Sequence, residues 1–171
     1  VNTGASQPNA LQEVTLAGNT TFGGTGRWDL NMDLVSGFGL HGNGFNLIKT
    51  GDNQVSLYNA SVDTSYDLNL GQIEVQAGIL SLQGSLALGT SASGLVVRTN
   101  AMLDLCNLTT NAITKALTLD DGAFVRSRSV NVNFTNLCVI DGPVSLGGTV
   151  TFDNLSGNNL VVNGAISGSG G

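Results

Sequence analysis

Residues 67–105 read DLNLGQIEVQAGILSLQGSLALGTSASGLVVRTNAMLDL, from Asp67 to Leu105. Apolar residues recur in alternating pairs: Leu68 and Leu70, Ile73 and Val75, Leu80 and Leu82, Leu86 and Leu88, Leu95 and Val97, Leu103 and Leu105. A period of two places each pair on one face of a strand, whereas a helix would need apolar positions three and four apart. Gly71, Gly78, Gly84, Gly89 and Gly94 fall between or near the pairs, and glycine suits tight corners because it accepts positive φ. Strand, corner, strand, corner predicts a coil of strands, a β-solenoid.

The same pattern extends outward in both directions. Toward the N-terminus lie Val14 and Leu16 with a corner at Gly18, then Trp28, Leu30, Met32 and Leu34, then Leu47, then Val55–Tyr58. The alternation over residues 28–34 predicts those four side chains inward and Asp29, Asn31 and Asp33 in water. Toward the C-terminus lie Ala116–Leu119, Phe124–Val132, Val144–Leu146, Val150–Phe152 and Leu160–Ile166. Residues 1–10 read as a polar linker or lead-in, and residues 11–171 as one β-helical repeat module, a slice of a longer array. Residues 14–22 (VTLAGNTTF) match residues 144–152 (VSLGGTVTF) at five of nine positions without a gap, at an offset of 130, which also suggests repetition.

The chain has 171 residues with 24 Gly, 2 Pro and 5% aromatics. Charged residues make up 11%, well below the usual ~25%, yet patterned Val, Ile and Leu set it apart from disordered chains. With few aromatics, burial has to come from stacked aliphatic side chains, which suits a narrow solenoid core. A net charge of -6 argues against nucleic acid, which calls for a basic surface. No apolar run reaches the ~18 residues of a membrane span, so no membrane insertion by this segment is expected. Without an initiator Met or a signal peptide at Val1, the chain reads as a mature product or a piece of a larger precursor.

Several stretches resemble the autotransporter-associated β-strand repeats of bacterial passenger proteins. Leu47-Ile48-Lys49-Thr50-Gly51 followed by Val55-Ser56-Leu57 is similar to that family's L-x-K-T-G … L-x-L signature. Gly78-Ile79-Leu80-Ser81-Leu82 and Ala101-Met102-Leu103-Asp104-Leu105 resemble its G-x-L-x-L and A-x-L-D-L rungs, and residues 163–171 resemble the segment before a further L-x-K-T-G. The resemblance implies a right-handed parallel β-helix within a large secreted or surface-displayed bacterial protein. At roughly 20–25 residues per coil, this length would give seven or eight coils. A rod end would expose unpaired backbone and a bare core, so a continuing chain is expected past Gly171.

The residues that could carry chemistry are scattered. Cys106 and Cys138, 32 positions apart, are a candidate disulfide if neighbouring coils bring their Cα atoms within ~7 Å; the alternative is two small buried hydrophobes. There is no C-x-x-C and no Cys/His cluster, so no zinc site is expected. His41, the single histidine, sits between glycines and reads as a turn or surface residue. A polysaccharide lyase or hydrolase on such a fold would need converging carboxylates. Asp120, Asp121 and Asp141, with Arg126 and Arg128, are the nearest to a set. Arg126 and Arg128 share a strand face and are candidate surface contacts for an acidic glycan or for nearby aspartates. Tyr58, Tyr66 and Trp28 are the aromatics on which a sugar could stack.

No phosphate loop, calcium-binding repeat or G-x-S-x-G elbow is present. The expected function is therefore a non-enzymatic spacer or scaffold without a cofactor. Its expected partners are neighbouring modules, further copies end to end, or a surface glycan. A carbohydrate-active or glycan-binding β-helix is the alternative.

Overall fold

The structure is a computed structural model that describes residues 1–32, 38–59, 66–108, 112–129, 136–155 and 158–170. Among the described residues, twenty short strands climb in rungs of up to three. The first rung carries β1 (Gln7–Leu11), β2 (Val14–Thr15) and β3 (Thr20–Phe22). The second carries β4 (Trp28–Met32), β5 (Leu40–His41) and β6 (Leu47–Lys49). The third carries β7 (Gln54–Asn59), β8 (Tyr66–Asp67) and β9 (Ile73–Val75), and the fourth β10 (Ile79–Gln83), β11 (Leu86–Ala87) and β12 (Leu95–Val97). In the fifth, β13 (Met102–Cys106) and β14 (Leu117–Leu119) flank Ile113, which bridges to Ile140. The sixth holds β15 (Phe124–Arg128), β16 (Asn136–Ile140) and β17 (Val144–Leu146). The last holds β18 (Thr151–Asn154), β19 (Asn158–Val162) and β20 (Ile166–Gly168).

Each rung contributes to three faces. The broad sheet runs β1-β4-β7-β10-β13-β15-β18 and the narrow sheet β3-β6-β9-β12-β14-β17-β20, seven strands each. The third face is built from the short pairs β2-β5, β8-β11 and β16-β19. Every pairing among these strands is parallel. The chain is thus a parallel β-solenoid, as the alternation predicts. Seven strands on a face stand six steps apart, so the rod makes about six full turns. That is fewer than the expected seven or eight, because some coils are long. Trp28 stacks on Val55 and Leu117 on Val144 at spacings of 27 residues, whereas other steps, such as that from Met102 to Phe124, take only 22.

The core is a set of aliphatic columns. On the broad sheet Val55, Leu80, Leu103 and Val125 stack in register, with Leu30, Leu57, Leu82 and Leu105 beside them. On the narrow sheet Leu47, Ile73, Leu95, Leu117 and Val144 do the same. All are at most 1% exposed, and full burial of such a side chain is worth about 1.5–3 kcal/mol. A single rung could not shelter them; layers ~4.8 Å apart do so for one another. Near the first rungs Trp28 stands edge-on to Phe22 with ring centroids 5.0 Å apart, and its Nε1 donates to the Gly23 carbonyl at 3.0 Å.

The corner from narrow to broad sheet repeats one backbone device. Gly51, Gly78, Asn100 and Gly122 occupy it in successive coils with φ of 72, 65, 61 and 76°. At Gly78 a Cβ would meet the Gly51 oxygen at 2.4 Å, so both space and backbone require glycine. At Gly122 the nearest atom to such a Cβ lies 3.5 Å away. The corner itself therefore tolerates a side chain there, and asparagine, which enters the left-handed region more readily than most residues, serves it at position 100.

Four expectations change. Asp29, expected in water, is only 5% exposed and lies against Arg27; Asp33 and Leu34 lie outside the described residues. The segment Leu160–Ile166 is two strands, β19 and β20, on different faces. The internal match does not superpose equivalent parts of the coil. Val14 and Phe22 belong to the third face and the narrow sheet, whereas Val144 and Phe152 belong to the narrow and broad sheets. Any strand–corner–strand unit shares that grammar, so the likeness reflects local requirements and not a common phase. Part of the lead-in at residues 1–10 joins the first rung, through β1 and a bridge between Asn2 and Gly24.

Candidate functional site

The outer side of the broad sheet holds the densest set of charged groups. Its strands alternate, so residues between the inward columns point away from the core: Asp29, Ser56, Ser81, Asp104, Arg126 and Asp153 stack in one outward column. Outward does not mean exposed here. Ser56, Ser81 and Asp104 have no exposed surface at all. Asp104 accepts from Ser81 Oγ at 2.6 Å, from Arg126 Nε at 2.8 Å and from Arg128 Nε at 3.0 and 2.9 Å. Gln83 Nε2 donates to Ser81 Oγ at 3.0 Å, and Gln54 Nε2 to Ser56 Oγ at 2.8 Å. At the lower end Arg27 grips Asp29 through two nitrogens at 2.6 and 3.0 Å, which holds its guanidinium above the ordinary arginine value.

Arg126 and Arg128 do share a strand face, and both turn onto Asp104, keeping 23% and 20% of their side chains exposed. Charge-assisted bonds of this kind are the strong ones, so the seam clamps three successive strands. The carboxylates considered beside these arginines do not join them. Asp120 pairs with Arg98 at 3.3 Å; Arg98 also holds Glu74 at 2.6 Å and is raised above its ordinary value chiefly by that bond. Asp121 accepts from the Thr149 amide at 2.7 Å, and Asp141 from Asn163 Nδ2 at 2.9 Å. These are corner bonds between neighbouring coils. Among the described residues no group of three or more His, Cys, Asp and Glu side chains is placed to hold a metal ion.

His41 stands on the third face, its Nδ1 3.2 Å from the Tyr66 hydroxyl and its Nε2 4.0 Å from Glu13. Burial, with Asp67 and Glu13 adding to it, raises Tyr66 above the usual phenol range. Trp28 is buried, whereas Tyr58 and Tyr66 are partly exposed. Cys106 and Cys138 are both buried on successive rungs, no disulfide joins them, and Cys138 Sγ lies 3.8 Å from the Leu105 oxygen.

Two lysines that the sequence reading did not single out are buried. Lys49 points into the core column between Phe22 and Val75, and its Nζ donates to the carbonyls of Thr50, Gly51 and Ala77 at 2.8–3.0 Å. Burial lowers it to about 8, with Asp52 opposing. Lys115 is 1% exposed; its Nζ contacts Thr90 O and Ser93 Oγ in the neighbouring coil and Leu70 O one coil further. Burial lowers it too, with Asp67 opposing. Only Lys49 carried a signal in the sequence, as the lysine of the L-x-K-T-G stretch. No family model matches this chain, and neither a curated protein nor a solved structure matches it.

Proposed function

We propose that this chain is a structural module of a large secreted or cell-surface bacterial protein, acting as a spacer or scaffold. The observation that carries the reading is how its charges are used. All six basic side chains bond within the fold: Lys49 and Lys115 inside it, Arg27 on Asp29, Arg98 on Glu74 and Asp120, Arg126 and Arg128 on Asp104. A surface spent on holding successive coils together suits load-bearing or spacing better than turnover. Apolar side chains at the two ends of the rod, Leu11 at one and Phe152 and Ile166 at the other, are partly exposed. They fit contact with a neighbouring module or a further copy. The likeness to autotransporter passengers rests on the L-x-K-T-G and A-x-L-D-L stretches, and export to the cell surface belongs to that likeness.

A glycan-binding reading is favoured by one feature, the partly exposed Tyr58 on the same outer face as Arg126 and Arg128. Small-angle scattering of the chain alone and alongside neutral and acidic polysaccharides separates the readings. A rod-shaped particle with no depolymerised product supports the scaffold. Release of shortened saccharides would overturn it, and saturable binding without release would favour the glycan-binding module.

A further inference from the structure

The two buried lysines differ in what surrounds the nitrogen. Lys49 Nζ meets three carbonyl oxygens, of Thr50, Gly51 and Ala77. Carbonyls only accept, so that set calls for three N–H groups, those of an ammonium. Lys115 Nζ meets two carbonyls, Leu70 at 3.1 Å and Thr90 at 2.8 Å, and one hydroxyl, Ser93 Oγ at 2.5 Å. A neutral amine has two N–H groups and one lone pair, and this set matches it: two hydrogens for two carbonyls, the lone pair for the serine proton. Ser93 Oγ also lies 3.2 Å from the Thr90 oxygen, where its proton rests while the lysine is charged. Loss of a proton from Lys115 lets the hydroxyl turn from Thr90 to Nζ with the heavy atoms in place.

Access follows the same division. Lys115 is buried at the corner from the third face to the narrow sheet, while Ser93 is partly exposed among the exposed Thr90, Ser91 and Ala92. A hydroxyl at the surface with a desolvated amine beneath it is the pattern of an activated nucleophile. Asp67 is the charged group set against Lys115, and it acts against the effect of burial.

We propose that Ser93 and Lys115 form a serine–lysine dyad that accepts an acyl group from an ester. Ser93 Oγ bonds to the ester carbonyl carbon as its proton passes to Lys115 Nζ. The carbon–oxygen bond to the alcohol then breaks, and Lys115 returns the proton to the departing oxygen. An O-acyl serine and a free alcohol result. Water attacks the same carbon, gives a proton to Lys115, and displaces Ser93 Oγ, which takes that proton back as the acid leaves. The centre lies away from the broad-sheet seam and adds chemistry to a scaffold without depending on it.

The test treats the folded chain with a fluorophosphonate probe and with p-nitrophenyl acetate between pH 6 and 10, and locates adducts by mass spectrometry. An adduct on Ser93 is expected, its rate rising with pH to a midpoint below the 10.5 of an ordinary lysine. Ser93→Ala should remove it. Lys115→Arg keeps donors and charge but offers no lone pair at neutral pH, and should slow labelling by about 100-fold or more. Absence of the Ser93 adduct, equal labelling of the neighbouring Ser91, or an unchanged rate in Lys115→Arg would overturn the dyad. Should Lys115→Arg fail to fold, the pH profile of the unaltered chain decides: a rate that shows no inflection below pH 10.5 also overturns it.

Discussion

Lys49 stands where its column asks for an aliphatic side chain, between Phe22 and Val75, with Val97 and Leu119 further along. Its methylene stem packs as they do, and its nitrogen reaches the corner, where it donates to three carbonyls. The price is desolvation of a charge, which lowers the amine from 10.5 to about 8. Because the folded value lies below the unfolded one, the unfolded chain binds more protons between pH 8 and 10.5. Stability therefore rises with pH across that window, with a slope of at most about 1.4 kcal/mol per pH unit from this one group. Lys115 is shifted the same way. Tyr66, raised above 10.0, acts in the opposite sense as pH passes that value, so urea titrations belong at pH 8, 8.5, 9 and 9.5. The unfolding free energy should climb over that series, and Lys49→Met should flatten the climb. A fall, or an identical slope in the variant, would show that the ammonium of Lys49 is not strained by burial.

At the scale of strands, the clamp on Asp104 joins β10, β13 and β15 through side chains that point away from the core. Asp104→Ala should cost up to about 3 kcal/mol, the low end for breaking a buried pair, because both guanidiniums keep contact with water. Arg126→Gln and Arg128→Gln should cost about 1 kcal/mol each, since either arginine alone still satisfies the carboxylate. Together they should cost clearly more than the sum, as Asp104 is then left buried with only Ser81; denaturant melts of the double-mutant cycle read that coupling. Additive losses would mean that the arginines do not share one partner. The clamp also marks what the sequence could and could not convey. Alternation in Leu80–Leu82 or Leu103–Leu105 says which side chains face inward, and the structure places them there. It says nothing of how deeply the outward ones are covered, because the cover over Asp104 comes from residues 22 and 24 positions on. That distance is about one coil, a length that varies from 19 to 27 residues and so cannot be read from a single strand. The same variability let residues 14–22 and 144–152 look equivalent while lying on different faces. It also hid the meeting of Lys115 with Ser93, 22 residues earlier.

On the scale of the whole rod, each rung packs mainly on its neighbours, with single side-chain bonds such as Lys115 to Leu70 and Arg128 to Ser81 reaching one rung further, so stability should behave approximately as a sum of rung and interface terms. This can be tested by removing a rung without disturbing register. Ile79 stacks on Met102, so deletion of residues 79–101 joins Gly78 to Met102 and sets β7 directly beneath β13. Val55 then lies under Leu103, Ser56 under Asp104 and Leu57 under Leu105; on the narrow sheet Ile73 comes under Leu117 and Val75 under Leu119. Each of these core and seam pairs is of a kind already stacked in the rod, so the shortened chain should fold, with a β-type circular dichroism spectrum. Its denaturant m-value should be lower, because less surface is exposed on unfolding. Deletion of residues 79–89 alone gives the opposite result from a smaller cut. It puts Thr90–Gly94 in the places of Ile79–Gln83 and Leu95–Val97 in those of Gly84–Leu86, so every later strand is displaced by half a coil. Core columns would then face corners, and the chain should aggregate or stay unfolded in size-exclusion chromatography. If the smaller deletion folds as well as the larger one, the phase of the coil, and not merely its apolar content, could no longer be what specifies this solenoid.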